Sequence, residues 1–248
     1  MSPRVSVVVP AYQEADSIIP VLERMGEAIR IDAEVVVVVD SEDDSTVPVV
    51  RAYTERDPRV RVAINSYGRG PANAIKYGMH HAAAPVVVVT MADGCDDPFQ
   101  IDSLTRLVER GVVVAAASRY ARSGQQVGGP WIKGLMSRLA GLTLFLFARV
   151  GTRDATNSFK AYSKRFIELV HVESDAGFEI GIELVAKARR YRQPVAEIPT
   201  IWLDRAFGES NFKIRAWLPR YLHWYFFSFG PRLELPNISF PPSNEVSP

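Results

Sequence analysis

Asp93, Asp96 and Asp97 close the stretch VVVVTMADGCDDP, residues 86–98, in which an apolar run gives way to three carboxylates. Such a run reads as a buried strand. Acids released at its end suit a hard divalent cation that bridges a diphosphate through oxygen ligands, and Asp93, at the strand terminus, is the candidate metal ligand. Asp97 directly precedes Pro98 and an amphipathic run, which is the pattern of a helix N-cap with proline in the first turn. Cys95, a lone thiol beside carboxylates, reads as a small packed residue. Asp40 ends a second apolar run, EVVVVVD, with Glu42, Asp43 and Asp44 behind it. A carboxylate so placed accepts hydrogen bonds from a ribose diol or a base N–H, whereas Asp44 or Ser45 reads as the cap of the next helix.

The candidate cations come later in the chain: Arg119 in SRY, Lys133 ahead of Ser137, and Arg205 in LDRAFGESNFK. Each by itself is compatible with a solvated surface charge. Gathered at one rim they would clamp phosphate, the arginine fork taking two oxygens and the lysine adding a point charge. His80, His81, His171 and His223 show no metal-ligand spacing and read as structural.

Valine-rich runs alternate with helix-period segments through the first half, which predicts an α/β fold with a mostly parallel sheet covered on both faces. RVSVVVP, EVVVVVD, VRVAIN, the stretch from Val86 and VVVAAAS are the strands; one helix carries Ile18, Leu22, Met25 and Ile29, and another Ile101, Leu104, Leu107 and Val108. Ligands of such sheets bind beyond the carboxyl ends of the strands, where the acids lie. The second half differs in texture. A glycine-rich loop, ARSGQQVGGP, leads to an apolar segment from 131 to 150 carrying Lys133, Arg138 and Arg149. Then come a helix FEIGIELVAKARRY, a short strand PVAEIPTIWLDR and an aromatic, basic tail. The expected divisions are a main domain over 1–212, an amphipathic helix over 213–230 and an irregular terminus over 231–248.

With 29 Lys and Arg against 28 Asp and Glu, the net charge of +1 supplies no footprint for nucleic acid. The single cysteine excludes an internal disulfide and fits a reducing compartment. The N-terminal apolar run is too short for a secretory leader. Arg138 and Arg149 interrupt the longest apolar region, so no segment is expected to reach the ~18 residues of a membrane span. Trp217, Trp224, Tyr225, Phe226 and Phe227, beside Arg215 and Arg220, suit a helix in a bilayer interface, although an aromatic stripe is more often core or a homodimer contact.

In order along the chain, VVVPAYQEADSI, VVDSEDDST, ADGCDDP, SRYARSGQ, the Lys133–Ser137 pair, RDATNSFKAY, GFEIGIELVAKA and EIPTIWLDRAFGES resemble the inverting GT-A-fold glycosyltransferases of family two, especially the dolichol-phosphate mannosyltransferase type. The resemblance implies a nucleotide-sugar donor, a divalent cation (Mg or Mn), a polyprenyl phosphate acceptor and a place at the cytoplasmic face of a membrane. It implies that Pro10, Ala11, Tyr12 and Glu14 cradle the nucleotide, that Val38 and Asp40 hold base and ribose, and that Ala92 and Asp93 sit at diphosphate and metal. Arg119 and Arg205 would neutralise the phosphates, and Lys133 and Ser137 would receive the acceptor phosphate. The family's paired acids read Met91-Ala92-Asp93 here, so Asp93 alone carries over, with Asp96 the nearest substitute by spacing. The basic residue after the late serine is replaced by Asn211, and Lys213 is the one that would stand in. A soluble or polysaccharide acceptor, or donor binding without turnover, are the rival readings. A nucleotidyltransferase is disfavoured because PAYQEADS has no glycine for a phosphate loop.

Overall fold

The structure, a computed structural model, describes residues 2–204 and 214–234. Its centre is a seven-stranded sheet in the order β3-β2-β1-β4-β7-β5-β8, comprising β1 (Val5–Pro10), β2 (Ala33–Val39), β3 (Val60–Ile64), β4 (Val86–Val89), β5 (Val114–Ser118), β7 (Lys160–Ser163) and β8 (Val195–Pro199). β7 runs antiparallel between β4 and β5, and the other pairings are parallel.

Period-two burial on both faces explains why the strands read as unbroken valine runs. Val7, Val9, Val35, Val37 and Val39 pack against one helical layer, in which α1 (Ile18–Ala28) supplies Ile18, Leu22 and Met25 and α4 (Ile101–Glu109) supplies Ile101 and Leu104. α2 (Thr46–Thr54) completes that layer with Val47 and Val50. Val8, Val36 and Val38 face the other layer, with Ile75 and Met79 of α3 (Pro71–His80), Phe166 and Ile167 of α6 (Lys164–Leu169) and Leu184 and Val185 of α7 (Ile180–Arg190). Each fully buried valine contributes roughly 1.5 kcal/mol or more.

The mostly parallel sheet agrees with the sequence expectation, and four features depart from it. The glycine-rich loop holds a short strand, β6 (Gln125–Val127), paired in parallel with β9 (Ile201–Leu203). The strand expected from PVAEIPTIWLDR is two: the chain leaves the main sheet at Pro199 and enters this small ribbon at Ile201. β7 went unread because KAYS is too short and too polar to signal a strand. The fourth departure corrects the length assigned to the apolar segment. α5 (Trp131–Thr143) continues through a π-helical turn to Ala148, giving 18 helical residues of a length and composition able to cross a membrane.

The aromatic tail forms α8 (Ile214–Phe227), which packs on α7. Trp224 belongs to the core of that layer, with Lys187 Nζ 5.1 Å from its ring centroid, while Phe226 stays 66% exposed. Of the cluster expected at an interface, Trp224 is core and Tyr225 and Phe227 pack partly buried against it, because the helix buries one stripe against α7.

Candidate functional site at the carboxyl edge of the sheet

The loop after β1 is fixed by residues that the sequence offered only as a helix cap. The Asp44 carboxylate accepts from the backbone N–H of Thr46 at 2.9 Å and from that of Gln13 at 3.1 Å, and the Thr46 hydroxyl accepts from Glu14 N–H at 2.9 Å. The start of α2 thus holds the segment after Pro10, which includes Gln13 at φ 56°. Ala11 donates its N–H to the carbonyl of Val38 at 2.9 Å. Tyr12 stands 67% exposed at the edge, and Glu14 is half-buried with its carboxylate on the Ser17 hydroxyl. The Val38 side chain is wholly buried in the core, so this residue meets the site edge only through its backbone.

Asp40 braces the neighbouring loop. One carboxylate oxygen accepts from Asn65 Nδ2 and the other from Gly70 N–H, both at 2.8 Å. Gly70 sits at φ 113°, a conformation that a side chain would strain, directly before α3. The remaining lone pairs of the carboxylate are what a ribose could use.

After β4 the three acids separate in role. Asp93, half-buried, accepts from Cys95 N–H at 3.1 Å and holds the turn. Asp97 caps the short helical turn at Pro98–Gln100 by accepting from Phe99 N–H at 3.2 Å, as its place before proline predicts. Asp96 points inward, accepting from Thr90 Oγ1 at 2.9 Å and Met91 N–H at 3.3 Å. Burial first, and the charge of Asp93 second, push its carboxyl up to about 7. Asp96 is therefore a buried support for the turn and does not stand beside Asp93 as a second surface ligand. Among the described residues no group of three or more His, Cys, Asp or Glu side chains is placed to hold a metal. One carboxylate still fits a cation such as magnesium, which keeps waters and takes most of its remaining ligands from a substrate's phosphates.

Arg119 follows β5. Its guanidinium grips Asp154 in two places, at 2.7 and 2.8 Å, while its N–H reaches the same carboxylate at 3.0 Å. The fork's edge also donates to Ser137 Oγ at 3.2 Å, and Ser137 shares a 2.5 Å hydrogen bond with Thr156. Burial opposes the arginine's charge, but Asp154 holds it firmly on; Arg119 in turn holds the buried Asp154 carboxyl below its ordinary range. Beneath them Lys160, wholly buried at the start of β7, donates to the carbonyls of Ala155 and Asn157. Burial pulls its ammonium down to about 7 against the attraction of Asp154. Asp154 and Lys160 lie in RDATNSFKAY, a stretch noted only for its resemblance; the signal present was two opposite charges flanking the uncharged run Ala155 to Phe159.

Lys133 and Ser137, one turn apart on α5, are half-buried on the face that meets this cluster. Tyr120 ties the same face to the loop, its hydroxyl lying 3.0 Å from Gln126 Oε1 and 3.3 Å from the Gly134 carbonyl. Asp93, Asp96, Arg119 and Lys160 thus converge, each of the last three sensing the field of another member. Arg205 and Lys213 lie outside the described residues. Glu179, buried before α7, keeps one carboxylate oxygen without a partner among the described residues; it lies in GFEIGIELVAKA, a stretch noted only for its resemblance.

Residues 6–170 match the family described as Glycosyl transferase family 2. The chain is 28% identical over 217 residues to a dolichol-phosphate mannosyltransferase of Pyrococcus furiosus, covering 85% of this chain and only 59% of that protein's length. It is 25% identical over 230 residues to the polyprenol monophosphomannose synthase of Mycolicibacterium smegmatis, covering 86% of each. Glucosyl-3-phosphoglycerate synthase from Mycobacterium tuberculosis, solved with Mn2+, UDP and glucosyl-3-phosphoglycerate, is similar in structure with a TM-score of 0.69 at 16% identity, over 92% of this chain and 81% of that one. A mannosyltransferase from Pyrobaculum calidifontis, solved with GDP-Man and Mn2+, gives a TM-score of 0.62 at 21% identity, over 91% and 64%. At such identities the structural likeness establishes the fold, which is GT-A.

Proposed function

The chain belongs to glycosyltransferase family 2, and from that premise we propose that it moves a hexose of the mannose or glucose type from a nucleotide sugar to a polyprenyl phosphate, with inversion at the anomeric carbon. One observation carries the choice of acceptor. α5 sets Ser137 against Arg119, half-buries Lys133 one turn before it, and bares Trp131, Ile132, Leu135, Met136, Leu139 and Leu142 on its other side. A substrate with an anionic head and a hydrocarbon tail matches a helix divided in this way. The names of the two curated relatives support the same acceptor.

A phosphate monoester, with a second pKa near ~6, is already anionic at neutral pH. Its oxygen can form the bond to the anomeric carbon, as the bond to the leaving diphosphate breaks, without a strong general base. Pro10, Ala11, Tyr12, Glu14, Val38, Asp40 and Ala92 would seat the nucleotide. Ser137 and Lys133 would orient the acceptor phosphate. Arg119, balanced by Asp154, fixes Ser137, and Arg205 and Lys213 would neutralise the donor phosphates. A divalent cation held by Asp93 would supply positive charge at the leaving diphosphate when bound.

α5 is seated against the domain, because at Gly141 the helix backbone lies against the Arg153 carbonyl with no room for a side chain. A helix fixed along the surface lies on a bilayer more readily than across it, so the protein is read as peripheral to the membrane, with a homodimer equally open.

The test incubates GDP-mannose or UDP-glucose, labelled in the sugar, with polyprenyl phosphate or 3-phosphoglycerate, with and without chelator, followed by organic extraction. Label in the lipid phase, lowered roughly 100-fold or more by Asp93→Asn, is expected, as withdrawing several kcal/mol of charge stabilisation would produce. Label only in the aqueous product would transfer the reading to a soluble phosphate acceptor, the second reading that the phosphoglycerate synthase likeness favours.

A further inference from the structure

At the opposite end of β8 from the strand end beside Arg119, a cavity of about 580 Å³ is lined by Arg149, Arg189, Arg190, Arg192 and Arg232, with no acid among the described residues that line it. Val195, which lines it, begins β8, whereas Pro199, four residues on, pairs with Ser118 beside Arg119. At ~3.3 Å per residue the two ends are separated by about 13 Å along the strand. Two of the arginines have structural employment. Arg189 donates to the carbonyls of Ala148 and Gly230, both at 2.8 Å, and Arg190 donates to that of Pro231 at 2.8 Å with its guanidinium 4.1 Å from the Phe227 ring centroid. These bonds join the end of α7 to the segments after α5 and α8, and among the described residues they use only part of the five N–H donors of each fork.

Arg149, Arg192 and Arg232 are exposed and form no ion pair among the described residues. Stapling does not account for them. Arg149 and Arg192 also hold left-handed backbone, at φ 56° and 52°, two of the four described non-glycine residues that do so. Both residues close helices, Arg149 after the turn that ends at Ala148 and Arg192 two residues past the end of α7, where left-handed backbone is the ordinary cap, so the helix ends are what bring these side chains to the cavity. Both segments entering the cavity are preceded by bare apolar side chains: Leu146 and the 73% exposed Phe147 before Ala148, and Phe226 and Phe229 before Gly230.

Guanidinium forks without a counter-charge, rimmed by apolar side chains, suit a phosphate group presented at a bilayer surface. We propose that this cavity takes the phosphate headgroup of an anionic phospholipid, at a site separate from the one that handles the acceptor. The inference rests on the peripheral membrane reading above and adds lipid selectivity to it.

The test compares the wild-type protein with Arg149→Asn/Arg192→Asn/Arg232→Gln, asparagine being tolerant of left-handed backbone. Co-sedimentation is measured on vesicles of phosphatidylcholine alone and of phosphatidylcholine with phosphatidylglycerol, at 0.15 M salt, with and without pyrophosphate. The wild type should prefer the anionic vesicles roughly tenfold or more, and the triple variant should lose that preference while keeping its phosphatidylcholine binding and its affinity for nucleotide. Arg232→Gln alone, at an exposed position, should lose part of it and serves if the triple variant does not fold. An unchanged preference in the variants overturns the site, and so does its abolition by millimolar pyrophosphate, which would assign the cavity to a soluble phosphate. Binding to neither vesicle overturns the peripheral reading along with this one, whereas phosphatidylcholine binding without preference overturns this one alone.

Discussion

Arg119 shows how a residue's neighbours redefine it. As a letter in SRY it is a candidate phosphate clamp; in the fold its fork is occupied by a wholly buried aspartate, so its charge is balanced before any ligand arrives. Its contribution is to hold Ser137 and the start of the following loop in place. Removing the charge on Asp154 leaves an almost buried guanidinium without its counter-charge. Asp154→Asn should therefore destabilise the protein by about 3–5 kcal/mol, read as a lowered midpoint in urea at pH 7. A variant as stable as the wild type would show that the pair is dispensable to the fold. Asp44 makes the complementary point. Sequence logic read a helix cap, and the cap is there, but the same carboxylate also holds Gln13 and so shapes the loop that the donor would meet.

At the scale of elements, α5 is the part on which acceptor choice turns. Its half-buried positions fall at 133, 134, 137, 140 and 143, with Gly141 buried among them, the helical spacing of a single face. That face is held to the body by the close approach at Gly141, so a methyl there must push the helix away from the Arg153 backbone. Gly141→Ala is expected to cost about 1–3 kcal/mol of stability and to raise the KM for polyprenyl phosphate several-fold while nucleotide affinity stays unchanged. Equal loss on both substrates would mean that α5 does not serve the acceptor side selectively. α8 is split differently. Trp224 is core and Phe226 is bare, so the aromatic stripe is neither all interface nor all interior.

For the molecule as a whole, two buried groups set opposing dependences of stability on pH. Burial and the Asp93 charge raise Asp96 from 3.8 to about 7, so between those values the native state keeps a proton that the unfolded chain has released. Stability from this group is complete below pH 3.8 and is lost as the pH rises to about 7. Lys160 acts in the other direction. Burial lowers it from 10.5 to about 7, so its share is present above pH 10.5 and lost as the pH falls to about 7. Asp96→Asn removes the first dependence, so its stability relative to wild type should be higher at pH 8 than at pH 5 in urea titrations. An equal difference at both pH values would place the Asp96 carboxyl outside that titration range.

The sheet was legible in the chain because a strand buried on both faces must be apolar at every position, and five of the seven strands of the main sheet are valine or alanine runs. The Asp97 cap was legible because the residue before proline leaves a mark in sequence. β7 was not, and with it went Asp154 and Lys160: its residues are buried by strands far away in the chain, and nothing local distinguishes KAYS from a loop. Sequence alone fixed which residue types were available at the ends of the strands. Only the tertiary structure decided which of them face each other, since ion pairing depends on distances of a few ångströms between segments whose separation along the chain sets no such distance.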